Sequence, residues 1–160
     1  KMGCQRIAHL KGPQGLAVTE QRFNGYLDCL KKYQLPINED LIANTNFKVD
    51  SAVIPTQRFM ELPSPPDGIF GVNDQVAIGA MYVVREQGFE VPRQVAIVGF
   101  DDSPISAYIS PPLSTVRRPG KQIGAEASRI FLGEIKDRNL SFENLILTSS
   151  IIMRESSLRA

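Results

Sequence analysis

"GIFGVNDQVAIGAMYVVREQGFEVPRQVAIVGFDD", residues 68–102, passes from a short apolar stretch through Asn73, Asp74 and Gln75 into a helical pattern, then returns to an apolar stretch. Residues 69–72 predict a strand and residues 76–87 a helix stopped by Gly88. Residues 95–100, "VAIVGF", form a nearly unbroken apolar run, as expected of a parallel strand covered on both faces. A strand, a helix and a second strand in this order make one βαβ unit.

Working outward, the same alternation continues. Upstream, residues 6–10 predict a strand. Residues 18–33 predict a helix in which Phe23, Tyr26, Leu27 and Leu30 recur at spacings of three and four, and Pro36 ends it. Residues 40–44 predict another strand. Residues 49–62 predict a helix that must start late, because Pro55 lies well inside the segment. "PSPPDG", residues 63–68, is a stiff connector. Downstream, "LSTVRRP" leads into a helix over residues 120–132, and "NLILTSSIIMRESS" predicts two short strands. The pattern argues for an α/β fold built on a doubly wound parallel sheet.

The chain has 160 residues, 42% apolar and 22% charged, with a formal charge of +1. This suits one water-soluble domain, and no apolar run is long enough to cross a bilayer. Lys and Arg are scattered rather than striped, which gives no electrostatic footprint for nucleic acid. Cys4 and Cys29 have neither CxxC spacing nor a framework count, so they are expected to be reduced thiols of a cytoplasmic protein. The opening "KMGCQRIAHL" has no signal-peptide pattern and is expected to be a cut end.

Ligands of open parallel sheets bind outside the carboxyl ends of the strands. Those ends hold residues 12–19, then Asn46 and Phe47, then Asn73 and Asp74, then Asp101, Asp102 and Ser103. Asn73 supplies an amide donor and an acceptor, Asp101 supplies acceptors only, and Arg22 supplies a planar fork of donors. This mixture suits a neutral ligand rich in hydroxyls, with Phe47 available to cover the apolar face of a sugar ring. Plainer roles compete. Asn73 or Asp74 can cap the following helix, Asp74 being the better candidate. Asp101 and Asp102 can be turn formers before Pro104, Arg22 a solvated helix residue, and Phe47 ordinary core.

Catalytic machinery is not evident. His9, the one histidine, lies in a strand pattern and is expected to be a core or edge imidazole. There is no GxSxG elbow, no base is placed near Cys29, and neither GxGxxG nor a Walker loop occurs. The pair Asp101 and Asp102 lacks the partner carboxylates of a metal-assisted phosphoryl site. No enzyme activity, cofactor or metal is expected.

"RIAHLKGPQG", "RFNGYLDCL", "NDQVAIGA", "VPRQVAIVGFDDSPISAYISPPLSTV" and "LILTSSIIMRESS" together resemble the effector-binding region of the lactose-repressor (LacI/GalR) family of bacterial transcription regulators. The resemblance runs along nearly the whole chain, beginning at the second of two lobes with a periplasmic-binding-protein-like fold. It implies a C-terminal lobe over residues 1–118, a crossover helix over 119–139 that packs in the other lobe, and returning strands over 140–160. The helix face of Ile123, Ala127, Ile130 and Phe131 would then need other cover.

Residue by residue, the resemblance assigns ligand contacts to Arg22, Phe47, Asn73 and Asp101, and implies a small-molecule effector of carbohydrate type. Leu16 and Val18 stand where some members carry polar contacts, which argues against a nucleobase. It also implies a homodimer formed through the exposed parts of residues 77–85 and the segment 104–109, with Ile105, Tyr108 and Ile109 in the interface. Operator DNA would be met only through a helix-turn-helix headpiece, so this stretch alone is expected neither to bind an operator nor to hold its effector well. A sugar-binding protein of a transport system, which shares the fold, is the alternative.

Overall fold

The computed structural model describes residues 3–136 and 144–159; the expected end of the crossover helix and start of the returning strands, residues 137–143, lie outside the described residues. Among the described residues, six strands form one sheet in the order β2-β1-β3-β4-β5-β6. They are β1 (Ile7–Lys11), β2 (Ile42–Asn44), β3 (Gly68–Gly71), β4 (Ala96–Asp101), β5 (Ser114–Arg117) and β6 (Ser150–Ile152). The first five pair in parallel, and β6 runs antiparallel to β5. Helices α1 (Ala17–Lys32), α2 (Val53–Met60), α3 (Asp74–Glu86) and α4 (Gly120–Lys136) complete the chain. The expected doubly wound α/β sheet is therefore present.

The order β2-β1-β3 means that the chain reverses direction across the sheet after β2, which sends α1 to one face and α2 and α3 to the other. Under α2 and α3 lies the main core. Ala8, Leu10, Ile69, Ile97 and Leu113 from the sheet side meet Phe59, Val76, Ala80, Met81 and Val84. On the opposite face α1 buries Tyr26 and Leu30. The Tyr26 hydroxyl donates to the Ile7 carbonyl at 2.8 Å. His9 is fully buried there, its ring stacked on Phe70 and Tyr26 with centroids 4.7 and 5.0 Å away. Phe23 and Leu27, also expected on the buried face, are only half-buried, and Thr19 is fully buried instead.

Several boundaries differ from expectation for local reasons. A 3-10 turn, Glu39–Leu41, precedes β2 and shortens it, with Asn38 accepting the Asp40 N–H. Pro55 falls in the first turn of α2, where backbone N–H groups lack helical partners and a missing donor is harmless. One strand rather than two forms between residues 144 and 157. After β6 the chain makes a 3-10 turn, Glu155–Ser157, because Ser156 bonds inward: it accepts from the Ser114 N–H and donates to the Ile97 carbonyl.

The face carrying α1 is open beyond that helix. Ile7, Phe70, Val98, Val116, Ile151 and Met153 border an apolar hollow of about 630 Å³ there. Helix α4 is also largely exposed, with Ile123 and Phe131 44% and 64% accessible.

Candidate ligand-binding site

The carboxyl ends of β1 to β5 share one edge of the sheet, and the four residues expected to touch ligand gather along it. Arg22 reaches from the second turn of α1. Its Nη1 donates to the Val72 carbonyl at 2.6 Å, its Nη2 lies 3.4 Å from Asp101 Oδ1, and its guanidinium sits 3.8 Å over the Phe100 ring. Burial lowers the Arg22 pKa and the neighbouring Asp101 carboxylate opposes that shift. The side chain is only 12% exposed, so it is no freely solvated helix residue.

Asp101 ends β4 with φ +112°, and Asp102 follows with φ +53°. Phe47, beyond β2, has φ +71°. Non-glycine residues rarely adopt these conformations, and clustering of such residues at one place is a mark of functional sites. Gly12 permits the Phe47 arrangement: a Cβ at Gly12 would overlap the Phe47 ring and the Thr19 hydroxyl. Thr19 Oγ1 is buried there without a partner among the described residues.

Asn73 has a double duty. Its Oδ1 accepts the Val76 N–H at 2.9 Å, capping α3, and its Nδ2 donates to the Phe47 carbonyl at 3.0 Å. The helix cap is thus Asn73 and not Asp74, the reverse of the preferred assignment. With extended backbone at φ −144°, Asn73 has the conformation a cap needs, whereas Asp74 already lies within the helix.

Asp74 instead turns inward and is 1% exposed. Asp102 is likewise structural: its carboxylate bonds Arg117 Nε at 2.6 Å and Arg154 Nη2 at 2.7 Å. Burial works to raise its pKa, but the two guanidinium groups outweigh that and hold it below the usual carboxylate range.

Arg118 was not singled out beforehand. Its Nε lies 2.9 Å from Asp101 Oδ1, so that oxygen sits between two guanidinium groups, while Oδ2 has no partner among the described residues. The signal was available in "STVRRP": a strand pairing in parallel beside β4 puts the end of its basic pair next to the end of "VGFDD". Chemically, the rim offers the open Oδ2 of Asp101 as acceptor, the guanidinium donors of Arg22 and Arg118, and the half-buried ring of Phe47. Neither the apolar hollow on the open sheet face nor a second hollow of about 520 Å³ beside Arg117, Arg118 and Gly120 is bordered by Arg22, Phe47, Asn73 or Asp101.

Among the described residues no group of three or more His, Cys, Asp and Glu side chains is placed to hold a metal. Cys4 and Cys29 are both unpaired. Ile105 and Tyr108 are 52% and 84% exposed, as is Tyr82 on α3 at 60%, while Ile109 packs against the domain's own core.

The sequence profile of the periplasmic binding protein-like domain matches residues 1–157. The chain belongs to that family. Within the periplasmic binding protein-like family its likeness is to LacI-type regulators. It is 33% identical over 154 residues to the probable HTH-type transcriptional repressor ExuR of Bacillus subtilis, covering 96% of this chain and 46% of the repressor. A LacI-family regulatory protein from Chloroflexus aggregans superposes with a TM-score of 0.92 at 32% identity, over 99% of this chain and 57% of that one. The transcriptional regulator CelR in its cellobiose complex superposes with a TM-score of 0.89 at 30% identity, over 96% of this chain and 47% of that one. The chain spans about half the length of the curated relatives it matches. The resemblance to LacI/GalR effector-binding regions therefore holds. Among the described residues, no helix is long and apolar enough to cross a membrane.

Proposed function

We propose that this chain is the effector-binding part of a LacI/GalR-type transcriptional regulator, acting in the cytoplasm, with a carbohydrate effector held by Arg22, Phe47, Asn73 and Asp101. The observation that carries this reading is the meeting of Arg22 with a conformationally strained Asp101 at the mouth of a parallel sheet, one Asp101 oxygen left open. An acceptor-only carboxylate beside guanidinium donors matches adjacent sugar hydroxyls, each of which donates and accepts. The cellobiose complex of the related CelR favours a sugar over other small molecules.

In this reading residues 1–118 form one lobe, the helix from residue 119 belongs with a second lobe, and the chain returns to the first over residues 140–160. The exposed apolar stripe of α4 supports that division, since a helix in its final setting covers such a face. An effector contacting both lobes favours one relative orientation, and only its differential affinity for the two orientations drives the change. Operator DNA is met by a helix-turn-helix headpiece, and two copies associate through Tyr82 and the segment that carries Ile105, Tyr108 and Ile109. The transport-protein alternative is not favoured, because the relatives are repressors.

Fluorescence anisotropy of the full-length protein on DNA from its own promoter region tests the regulatory reading. Adding sugars one at a time from a panel of mono- and disaccharides is expected to change DNA affinity for at least one. Absence of DNA binding, with tight sugar binding in calorimetry, would favour the transport reading.

A further inference from the structure

We infer that Asp74 is a positioning residue for Asp101, setting the geometry of the ligand carboxylate without touching the ligand. Asp74 is the ionisable member of an otherwise uncharged buried set on α3. Its Oδ2 accepts from the Ser103 N–H at 2.6 Å, the Ser103 hydroxyl at 3.0 Å and the Ser106 hydroxyl at 2.8 Å. Its Oδ1 accepts from the Thr115 hydroxyl at 2.5 Å. Having donated to Asp74, Thr115 Oγ1 is free to accept, and it takes the Asp102 N–H at 3.2 Å.

The two peptide N–H groups that follow Asp101 are therefore both anchored on one carboxylate, Ser103 directly and Asp102 through Thr115. These anchors fall where the backbone runs through two successive left-handed conformations at Asp101 and Asp102. Such a conformation persists only where its surroundings over-determine it. Gly99 is part of the same device, because a Cβ there would overlap Asp74 Oδ1 and push the carboxylate off its donors. No ion pair engages Asp74 among the described residues, so hydroxyl and peptide dipoles, together with the amino end of α3, stabilise it.

The consequence for binding rests on the sugar-site reading above. Asp101 can pre-orient its open oxygen only while residues 101–103 keep this path, so loss of the Asp74 acceptors should weaken the ligand through Asp101 alone.

The test uses the full-length protein and three substitutions: Asp74→Asn, Thr115→Val and Asp101→Ala. Amide hydrogen exchange at Asp102 and Ser103 is expected to quicken about tenfold in Asp74→Asn, and at Asp102 alone in Thr115→Val, with Ile69 and Ile97 unchanged. Calorimetry with cellobiose and D-ribose is expected to show about tenfold weaker binding in Asp74→Asn and no further loss when Asp101→Ala is already present. Unchanged exchange in either folded variant would overturn the inference while leaving the sugar site intact. So would an Asp74→Asn loss that persists in full beside Asp101→Ala. Should Asp101→Ala alone leave sugar affinity unaltered, the site reading fails, and the role of Asp74 in binding fails with it. If Asp74→Asn does not fold, Thr115→Val decides through the same two readouts.

Discussion

At the residue scale, His9 shows how burial alone can make one side chain matter to stability. Fully enclosed between Phe70 and Tyr26, its Nδ1 lies 2.9 Å from the Phe70 carbonyl while Nε2 has no partner among the described residues. Burial pushes its pKa down to about 4, against a partial counter-effect from the Phe70 carbonyl. Between pH 6.5 and about 4 the unfolded chain binds a proton that the folded chain refuses, so stability is complete above 6.5 and falls as the pH drops toward 4. The expected loss is about 3 kcal/mol across that window. Urea unfolding at pH 7 and pH 4.5 checks it, and His9→Phe should flatten the slope. Asp102 acts in a separate range: its depressed pKa contributes stability that is lost only below its ordinary value of 3.8. Neighbouring residues can be read from sequence as chemistry but not as direction. Asn73 and Asp74 are both good caps in principle, and what separates them is distant: Ser103, Ser106 and Thr115 draw Asp74 inward, none of them near it in the chain.

At the scale of elements, α3 depends on one side chain at its start. Asn73 joins the helix cap to the Phe47 loop, so Asn73→Ala removes both links and is expected to lower stability by about 1 kcal/mol. Asn73→Asp keeps the cap acceptor and loses only the Phe47 bond; its denaturation midpoint should fall nearer that of the unsubstituted protein. The existence and chain order of β1 to β4 and of α1 to α4 were legible because apolar periodicity is a local property, whereas β5 (Ser114–Arg117), whose buried side chains include Ser114 and Thr115, was not among the expected strands. Their ends were less so. Strand β2 is trimmed by an Asn38 turn, and the last expected strand gives way to a turn held by Ser156, whose partners lie on β4 and β5. The gathering of Arg22, Asn73 and Asp101 at one sheet edge was readable because strand-end positions follow from the parallel pattern. The engagement of Arg118 with Asp101 needed the register of β4 against β5.

At the scale of the whole molecule, apolar surface is exposed on the open sheet face and along α4, and Tyr82, Ile105 and Tyr108 are each more than half exposed. Those three side chains are the ones proposed above for self-association. Introducing charge there by Tyr108→Asp is expected to shift full-length protein from dimer toward monomer in sedimentation equilibrium, leaving sugar affinity unaltered. A sedimentation profile indifferent to the substitution would remove Tyr108 from the interface.

The most direct test of the central claim, that the strand-end rim grips a polyhydroxylated ligand, is calorimetric titration of full-length protein and its Asp101→Ala variant with the sugar panel. The account predicts that the sugar bound by the unsubstituted protein loses about a hundredfold in affinity when the open carboxylate is removed, as expected when a buried ligand hydroxyl loses a charged partner. Equal affinity in the two proteins would contradict it.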